Sequence, residues 1–208
     1  MSVPRRRQKH RRPQEKRVAG SDTFFVIKCE NIPFKRRKEI SFRKVVCEVR
    51  PQKSDPTRTW ITIAGINIVF PGDVGTPAVS LNLVKLNINS VMSRLNAKFV
   101  CFDIKNFYLG TPLNQFEYVH GRFNEILQEF INKYNIASDN SYGWTYFEIL
   151  KGCYGLLQSG KLDNDLLRKY IAKHGYYECA TTPVLWRHQW SPITFVLLVD
   201  DFGVEYVG

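Results

Sequence analysis

Two adjacent carboxylates lie between two strand-like segments in residues 195–208, FVLLVDDFGVEYVG. The run from 195 to 199 is continuously apolar, as in a strand buried on both faces, and the run from 202 to 207 is rich in β-branched and aromatic residues. Asp200 and Asp201 are poor strand residues that would repel each other if buried alone, so we expect them at a hairpin tip. An ordinary acidic turn would have the same local sequence, but paired carboxylates also suit a hard divalent cation such as Mg²⁺.

A third carboxylate ends another apolar segment, KFVCFDI at residues 98–104. If this strand pairs with the hairpin in one sheet, Asp103 meets Asp200 and Asp201. Three convergent carboxylates repel strongly at neutral pH unless cations neutralise them. Two divalent ions roughly 3.5–4 Å apart are the usual partners of such a cluster in enzymes that displace groups at phosphorus.

Strands and helices alternate in the segments that must position these carboxylates. Apolar periodicity predicts an amphipathic helix over 78–93, which begins after Thr76-Pro77, and another over 123–134. A third helix follows the glycine-rich segment KGCYGLLQSG at 151–160, with Ser159 as its cap. The fold class expected is α+β, with an antiparallel sheet and helices packed on one face. Further strands are predicted at 23–29, 44–50, 59–64, 66–70 and 144–150.

The apolar stripe of each helix can be assigned from steps of three and four residues. In the first helix it comprises Leu81, Val84, Ile88, Val91 and Leu95. In the helix after the glycine-rich segment it comprises Leu162, Leu166, Leu167, Tyr170 and Ile171.

The net charge of +11 is concentrated in the first part of the chain. Residues 1–60 contain 18 Lys and Arg against 6 Asp and Glu, whereas residues 61–208 contain 12 against 13. Clustered basic residues bind polyanions through counterion release, although a solvated basic tail has the same composition. We therefore expect a basic, largely disordered arm over 1–40 and one domain over 41–208. The nucleic-acid contacts expected in the arm are Arg36, Arg37 and Lys38.

Cysteine and histidine spacing gives no zinc pattern, and an odd number of cysteines argues against a closed disulfide framework. The five cysteines are interpreted as reduced thiols of an intracellular protein, cytoplasmic or nuclear. No apolar stretch is long enough for a membrane span, so we expect no membrane partner.

Four segments in this order resemble the reverse transcriptase of copia-type LTR retrotransposons over residues 43–208. DIKNFYLGTPL, with Glu117-Tyr118-Val119, resembles the first carboxylate motif of that family and its continuation. LKGCYGLLQSG resembles the glycine-glutamine motif, HGYYECATTPVLW the segment after it, and FVLLVDDFGVEYVG the paired-aspartate hairpin.

The resemblance implies the fingers and palm of a right-hand polymerase, with residues 41–97 fingers-like and 98–208 palm. It implies that Asp103 and Asp200 ligate two Mg²⁺ ions, with Mn²⁺ as an alternative, and that Asp201 supports them. Tyr108 would lie under the incoming sugar and exclude a 2′-hydroxyl, and Gln158 would contact the template strand or nucleotide. Locally, Tyr108 could equally be a core residue and Gln158 a capping amide.

The basic hairpin between residues 43 and 70 would correspond to the fingers that hold the triphosphate, through Lys53 and Arg58. Two departures from the family pattern occur there: Trp60 interrupts an Arg-x-Arg alternation, and Ala64-Gly65 replaces a glycine pair. We also expect the chain to be truncated before the thumb, with thumb and ribonuclease H segments supplied by a longer polyprotein.

The function expected is RNA-directed DNA polymerase activity of a retrotransposon in virus-like particles, with a primed RNA or DNA template and deoxynucleoside triphosphates as partners. Truncation would leave that activity in doubt. A non-catalytic or vestigial nucleic-acid-binding protein is the alternative, and its basic first 60 residues would carry the function. A metal-dependent nuclease shares the carboxylates but gives no role to Tyr108 or to the glycine-rich segment.

Overall fold

The computed structural model describes residues 17–18, 23–52, 56–126, 128, 131–132, 135–136 and 142–208. Within these ranges the fold is α+β, as expected, with strands in two sheets and few helices. The strands are β1 (Arg17–Val18), β2 (Phe24–Ile27), β3 (Ser41–Val49), β4 (Thr57–Ala64), β5 (Ala97–Asp103), β6 (Pro112–Arg122), β7 (Trp144–Lys151), β8 (Tyr176–Glu178), β9 (Leu185–His188), β10 (Ile193–Leu198) and β11 (Asp201–Val207). The helices are α1 (Leu81–Met92) and α2 (Ser159–Ala172).

The larger sheet has six strands in the order β1-β2-β7-β6-β3-β4. Its pairs are antiparallel except for β3 and β6, which run parallel where Ser41 lies opposite Val119. The single antiparallel sheet predicted from sequence is therefore wrong, because the β3–β4 hairpin joins this mixed sheet rather than the sheet that carries the aspartates. A buried apolar cluster packs on this sheet and includes Val26 of β2, Ile63 of β4, Val119 of β6, and Phe147 and Ile149 of β7.

The smaller sheet carries the three aspartates and has five antiparallel strands in the order β5-β11-β10-β9-β8. β10 and β11 form the hairpin predicted from FVLLVDDFGVEYVG, with Leu198 opposite Asp201. β5 pairs with β11 so that Asp103 lies opposite Asp201. The two carboxylate-bearing strands therefore pair, which is the condition under which the sequence places Asp103 near Asp200 and Asp201.

The two helices pack on opposite faces of this sheet. Val204 lies in a cluster against Leu167 and Ile171 of α2. Its neighbour Glu205 points to the other face, since side chains alternate along a strand, and accepts a hydrogen bond from Ser90 of α1 at 3.0 Å. The expectation that the helices lie on one face is therefore wrong for α1 and α2.

Polar contacts set the rotation of α1 about its axis. Glu205 is 2% exposed and also accepts from the Arg94 guanidinium at 3.1 Å, so the side of α1 that carries Ser90 faces the sheet. Of the predicted apolar stripe, Leu81 is 67% exposed and Leu95 88% exposed. The helix begins after Ser80, whose hydroxyl accepts from the Leu83 amide, rather than at Thr76-Pro77.

Two other predicted elements differ at least in part from the structure, and one strand was missed. The helix predicted over 123–134 begins as a 3₁₀ turn at Phe123–Glu125, and residues 128, 131 and 132 are helical. The remaining residues of that prediction are 126, which lies in a bend, and positions outside the described ranges. The strand predicted over 66–70 is replaced by a 3₁₀ turn at Gly65–Asn67. Strand β6 was not predicted, because its register shifts between Pro112 and Glu117 and interrupts the alternation of side chains.

The boundary predicted between an arm and a domain at residues 40 and 41 also differs from the structure. β2 pairs with β7 inside the larger sheet, and the Thr23 carbonyl accepts from the Leu150 amide at 2.9 Å. Ile32 is 1% exposed. The folded domain therefore includes residues 23–40, and most of the predicted arm before them lies outside the described residues. No helix in the described ranges is long and apolar enough to cross a membrane.

Candidate active site

Three aspartates lie near one another at one end of the five-stranded sheet. Asp103 is the last residue of β5 and Asp201 the first of β11, and the two lie directly opposite each other. Opposed residues in an antiparallel pair have Cβ atoms about 4.5–5.5 Å apart and point to the same face. Asp200 precedes them in the hairpin turn, where its carbonyl oxygen accepts from the Ile104 amide at 3.0 Å. The turn is therefore tied to the residue that follows Asp103.

The electrostatics of this end are unfavourable without a counter-charge. Burial raises the pKa of Asp200 above its ordinary value, and the charges of Asp103 and Asp201 raise it further. A hydrogen bond to the backbone opposes the rise only in part. Because Asp103 and Asp201 are exposed to solvent, an entering cation can reach the cluster and relieve the repulsion.

The donor chemistry fits a hard divalent cation, although the protein does not supply a complete ligand set. Among the described residues, no three His, Cys, Asp or Glu side chains converge closely enough to hold a metal ion. Mg²⁺ commonly uses one or two carboxylates and takes its remaining ligands from water and substrate phosphates. Asp103 and Asp200 suit that kind of site.

The turn that carries Asp200 has a strained backbone. Val199 and Asp200 form the two-residue loop between β10 and β11, and Val199 has a φ of 61°. A β-branched residue rarely adopts a positive φ, at a cost of about 1–3 kcal/mol. Such strain persists where the surrounding structure fixes it, and here the hairpin ladder and the Ile104 contact hold the turn.

Tyr108 lies close enough to Asp200 to interact with its charge. It belongs to a 3₁₀ turn at Phe107–Gly110 and packs edge-on against Tyr154, with ring centroids 4.9 Å apart. Burial raises the pKa of the Tyr108 phenol, and the charges of Asp200 and Asp163 raise it further. The half-buried ring therefore lies within electrostatic range of both Asp200 and Asp163 of α2.

The glycine-rich segment packs tightly between the Tyr108 turn and β4. A Cβ atom on Gly152 would lie 2.5 Å from the Tyr108 carbonyl oxygen. Gly155 has a φ of +89°, and a Cβ there would lie 1.9 Å from the Ile63 carbonyl oxygen. The Ile63 amide donates to the Tyr154 carbonyl at 2.8 Å. Only glycine permits these backbone approaches, which join the β3–β4 hairpin to the candidate site.

Gln158 is buried rather than presented to a cleft. It is 2% exposed, and its Nε2 donates to Oε1 of Glu117 at 3.0 Å. Glu117 is itself 3% exposed and pairs with the Arg36 guanidinium at 2.7 Å. Ser159 does not cap α2 as predicted, because its hydroxyl accepts from the Cys153 amide at 3.0 Å.

The basic residues predicted to bind nucleic acid have different surroundings. The Arg36 guanidinium is used within the protein, since it also pairs with Glu39 and donates to the Phe116 carbonyl. Arg37 and Lys38 are exposed. Arg58 belongs to β4 opposite Glu48, but its side chain and the whole of Lys53 lie outside what the structure describes.

Sequence analysis missed two buried acids near the site. Glu117 was noted only as part of a motif, and nothing in its sequence context shows that it anchors Gln158. Asp163 lies on α2, is 1% exposed, and has a pKa raised to about 7, mainly by burial. Asp163 precedes Leu166 by three residues and Leu167 by four, so it lies on the same helix face as the predicted apolar stripe. That position could have identified it as a buried acid.

No protein-family model and no curated protein matches this chain. The functional interpretation therefore depends on the geometry above and on the resemblance of the motifs.

Proposed function

We propose that this chain is the fingers and palm region of a reverse transcriptase similar to those of copia-type LTR retrotransposons. The reaction is addition of a deoxynucleotide to a primer 3′-hydroxyl on an RNA or DNA template, with release of pyrophosphate. The observation that carries the proposal is that Asp200, which lies far along the chain from Asp103 and Tyr108, comes close enough for its carboxylate to interact electrostatically with both of them at one end of the sheet.

Each residue has a specific role in the proposed reaction. Asp103 and Asp200 hold Mg²⁺, which when bound neutralises phosphate charge and lowers the pKa of the attacking hydroxyl. Asp201 adds negative charge beside them. Tyr108 lies under the sugar of the incoming nucleotide and excludes a 2′-hydroxyl by its bulk. Positioning supplies most of the catalysis in phosphoryl transfer, so the rigid joint between the Tyr108 turn and Gly152 supports the same assignment.

Gln158 acts indirectly in this proposal. Its amide holds Glu117 and fixes the start of α2 beside the glycine-rich segment, whose exposed backbone at Gly155 is free to approach a template or nucleotide. In this proposal the six-stranded sheet corresponds to the fingers and the five-stranded sheet to the palm. The division expected at residue 98 then does not hold, because β6 and β7 of the six-stranded sheet come from the range 98–208.

Primer extension tests the proposal. The wild-type chain is incubated with a primed RNA template, deoxynucleoside triphosphates and Mg²⁺, beside Asp200→Asn. We expect extension that falls at least about a hundredfold in Asp200→Asn. Asp165→Asn is the matched control, since Asp165 is partly exposed on α2 and pairs with Lys161. Extension that is absent from the wild type, or equal in Asp200→Asn, contradicts the proposal.

Nucleotide selection gives a second readout. Tyr108→Ala removes the bulk proposed to exclude the 2′-hydroxyl, so ribonucleotide incorporation relative to deoxynucleotide incorporation rises about tenfold or more. Tyr177→Ala, on exposed β8, serves as the control. If the ratio of ribonucleotide to deoxynucleotide incorporation is unchanged in Tyr108→Ala, Tyr108 is not the residue that selects the sugar.

A non-catalytic nucleic-acid-binding function is favoured by one surface feature. The Arg37 guanidinium lies 5.8 Å from the ring centroid of Phe34, which is 84% exposed. Exposed aromatic rings beside cations bind single strands by stacking and phosphate contact.

Filter binding of single-stranded RNA at several salt concentrations tests this alternative. It predicts binding that weakens in Arg37→Ala and Phe34→Ala, loses affinity as salt rises, and is unchanged in Asp103→Asn. RNA binding that persists in both surface variants contradicts it.

A further inference from the structure

A buried carboxyl lies beneath the segment that carries Tyr108. Asp163 is 1% exposed, and both carboxylate oxygens are buried without a hydrogen bond of normal geometry. No ion pair of the described residues includes it. A buried carboxylate without an ion pair, and with the Thr111 hydroxyl as a weakly placed neighbour, is unfavourable, so burial favours the neutral form.

The backbone around Gly152 connects Asp163 to Tyr108. Gly152 lies next to both groups. A Cβ atom added to Gly152 would lie 2.5 Å from the Tyr108 carbonyl oxygen and 3.2 Å from Oδ2 of Asp163. The Gly152 amide also donates a hydrogen bond to the Thr111 carbonyl at 2.8 Å, so Gly152 is joined to the residue that follows the Tyr108 turn. The Tyr108 carbonyl oxygen and Oδ2 of Asp163 both border the Cβ position of Gly152, so a new negative charge at Oδ2 would lie in the same small region as the carbonyl oxygen.

Among Asp163, Tyr108 and Cys153, Asp163 is the group whose pKa lies near neutrality. Burial raises the pKa of Asp163 to about 7, and the Thr111 hydroxyl opposes the rise in part. The titratable groups that face it are Tyr108 and Cys153. Burial and the Asp163 charge raise the pKa of the Cys153 thiol to about 12, and they also raise that of Tyr108, as does Asp200 from the opposite side.

We propose that Asp163 is a proton-dependent positioning residue for Tyr108: the neutral carboxyl lets the Tyr108 turn rest on Gly152, and the carboxylate displaces it. Loss of the proton to solvent places a charge beside the Tyr108 carbonyl and draws water toward the buried pocket. The turn moves away from Gly152, and the Tyr108 ring shifts relative to Asp200. The part of this inference that concerns nucleotide selection rests on the proposed function.

The structural part is tested by NMR of the full chain with ¹³C-labelled tyrosine, with the Tyr108 resonance assigned by Tyr108→Phe. Over a series from about pH 5 to about pH 9, the Tyr108 ring resonance of the wild type moves with a midpoint near 7. The transition disappears in Asp163→Asn, which keeps the shape of the neutral acid. It persists in the control Asp165→Asn.

A second variant keeps the inference open to refutation if Asp163→Asn does not fold. Thr111→Val removes the hydroxyl that favours the charged form, so the midpoint moves to higher pH. A wild-type Tyr108 resonance without a transition, a transition that survives in Asp163→Asn, or a midpoint that does not rise in Thr111→Val overturns the proposal.

Primer extension supplies the functional readout. Discrimination against ribonucleotides falls several-fold between about pH 6 and about pH 8 in the wild type and stays constant in Asp163→Asn. If discrimination has the same pH profile in both, Asp163 does not position Tyr108 for selection. If the NMR transition occurs and no extension is seen, Asp163 still moves Tyr108, and only the proposed function fails.

Discussion

The side-chain amide of Gln158 donates a hydrogen bond to Glu117 across 3.0 Å, with both residues almost fully buried. This contact joins the start of α2 to β6, and Arg36 completes it from the 3₁₀ turn at Phe34–Glu39. A residue expected to face the template is therefore part of an internal network. Burial raises the pKa of Glu117, and the Arg36 charge opposes that rise.

Removal of Arg36 is expected to destabilise the fold. Arg36→Ala leaves Glu117 buried with only the Gln158 amide as a recorded partner, and breaking such a pair costs about 3 kcal/mol. Equilibrium urea unfolding measures the loss. Lys38→Ala, an exposed basic residue in the same turn, should change the free energy of unfolding by less than about 0.5 kcal/mol. Equal losses in the two variants would mean that the Glu117 contact contributes nothing specific.

Gly155→Ala should disrupt the joint between the glycine-rich segment and β4. The new Cβ would meet the Ile63 carbonyl oxygen at 1.9 Å, and the φ of +89° disfavours alanine as well. We expect a loss of about 2–4 kcal/mol in thermal or urea unfolding. Gly110→Ala is the matched control, because nothing lies within 4 Å of its Cβ position and its φ is not positive. A stable Gly155→Ala protein would show that the two backbones need not approach so closely.

Val199→Gly should stabilise the protein while it impairs the proposed reaction. Glycine tolerates the φ of 61°, so the substitution relieves strain of about 1–3 kcal/mol. Glycine also loses more conformational entropy on folding, which costs about 0.5–1 kcal/mol, so the net effect is stabilising. The looser turn holds Asp200 less firmly, so primer extension slows although the midpoint of unfolding rises.

The neighbouring position provides the comparison. Leu198→Gly, in β10, should destabilise by about 0.5–1 kcal/mol, because glycine in a strand raises the conformational entropy of the unfolded chain, and the Leu198 side chain is 42% exposed and adds little burial. A destabilised Val199→Gly variant would show that the turn is not strained in solution.

Stability should fall as pH rises toward neutrality, through Asp163. Its folded pKa of about 7 exceeds the ordinary value of 3.8, so the folded state binds the proton more tightly between these values. Asp163 therefore contributes its full stabilisation to the folded state below about pH 4. This stabilisation declines as the pH rises to about 7, and above that pH the stability no longer changes through Asp163.

Asp163→Asn should lack this decline and be more stable than the wild type at pH 8 by about 1–4 kcal/mol. Urea unfolding of both proteins at several pH values provides the check. Parallel stability curves for the two proteins would show that Asp163 is not a buried neutral acid.

Sequence patterns correctly predicted the elements that depend on local chemistry. The β10–β11 hairpin and β5 follow from continuous apolar runs that end in carboxylates, and α2 follows from periodicity after a glycine-rich segment. Each of these elements is specified by residues that are close together along the chain. The pairing of β5 with the hairpin joins distant segments, and the sequence left it as a condition for Asp103 to meet Asp200 and Asp201.

Tertiary structure alone decided the rest. The rotation of α1 depends on the buried Glu205, and the boundary of the domain depends on the place of β2 beside β7. The internal role of Gln158 depends on Glu117, which is 41 residues away along the chain. The neutral state of Asp163 depends on which backbone closes over it. Burial and partner choice are set by contacts between distant segments, and a sequence pattern does not contain them.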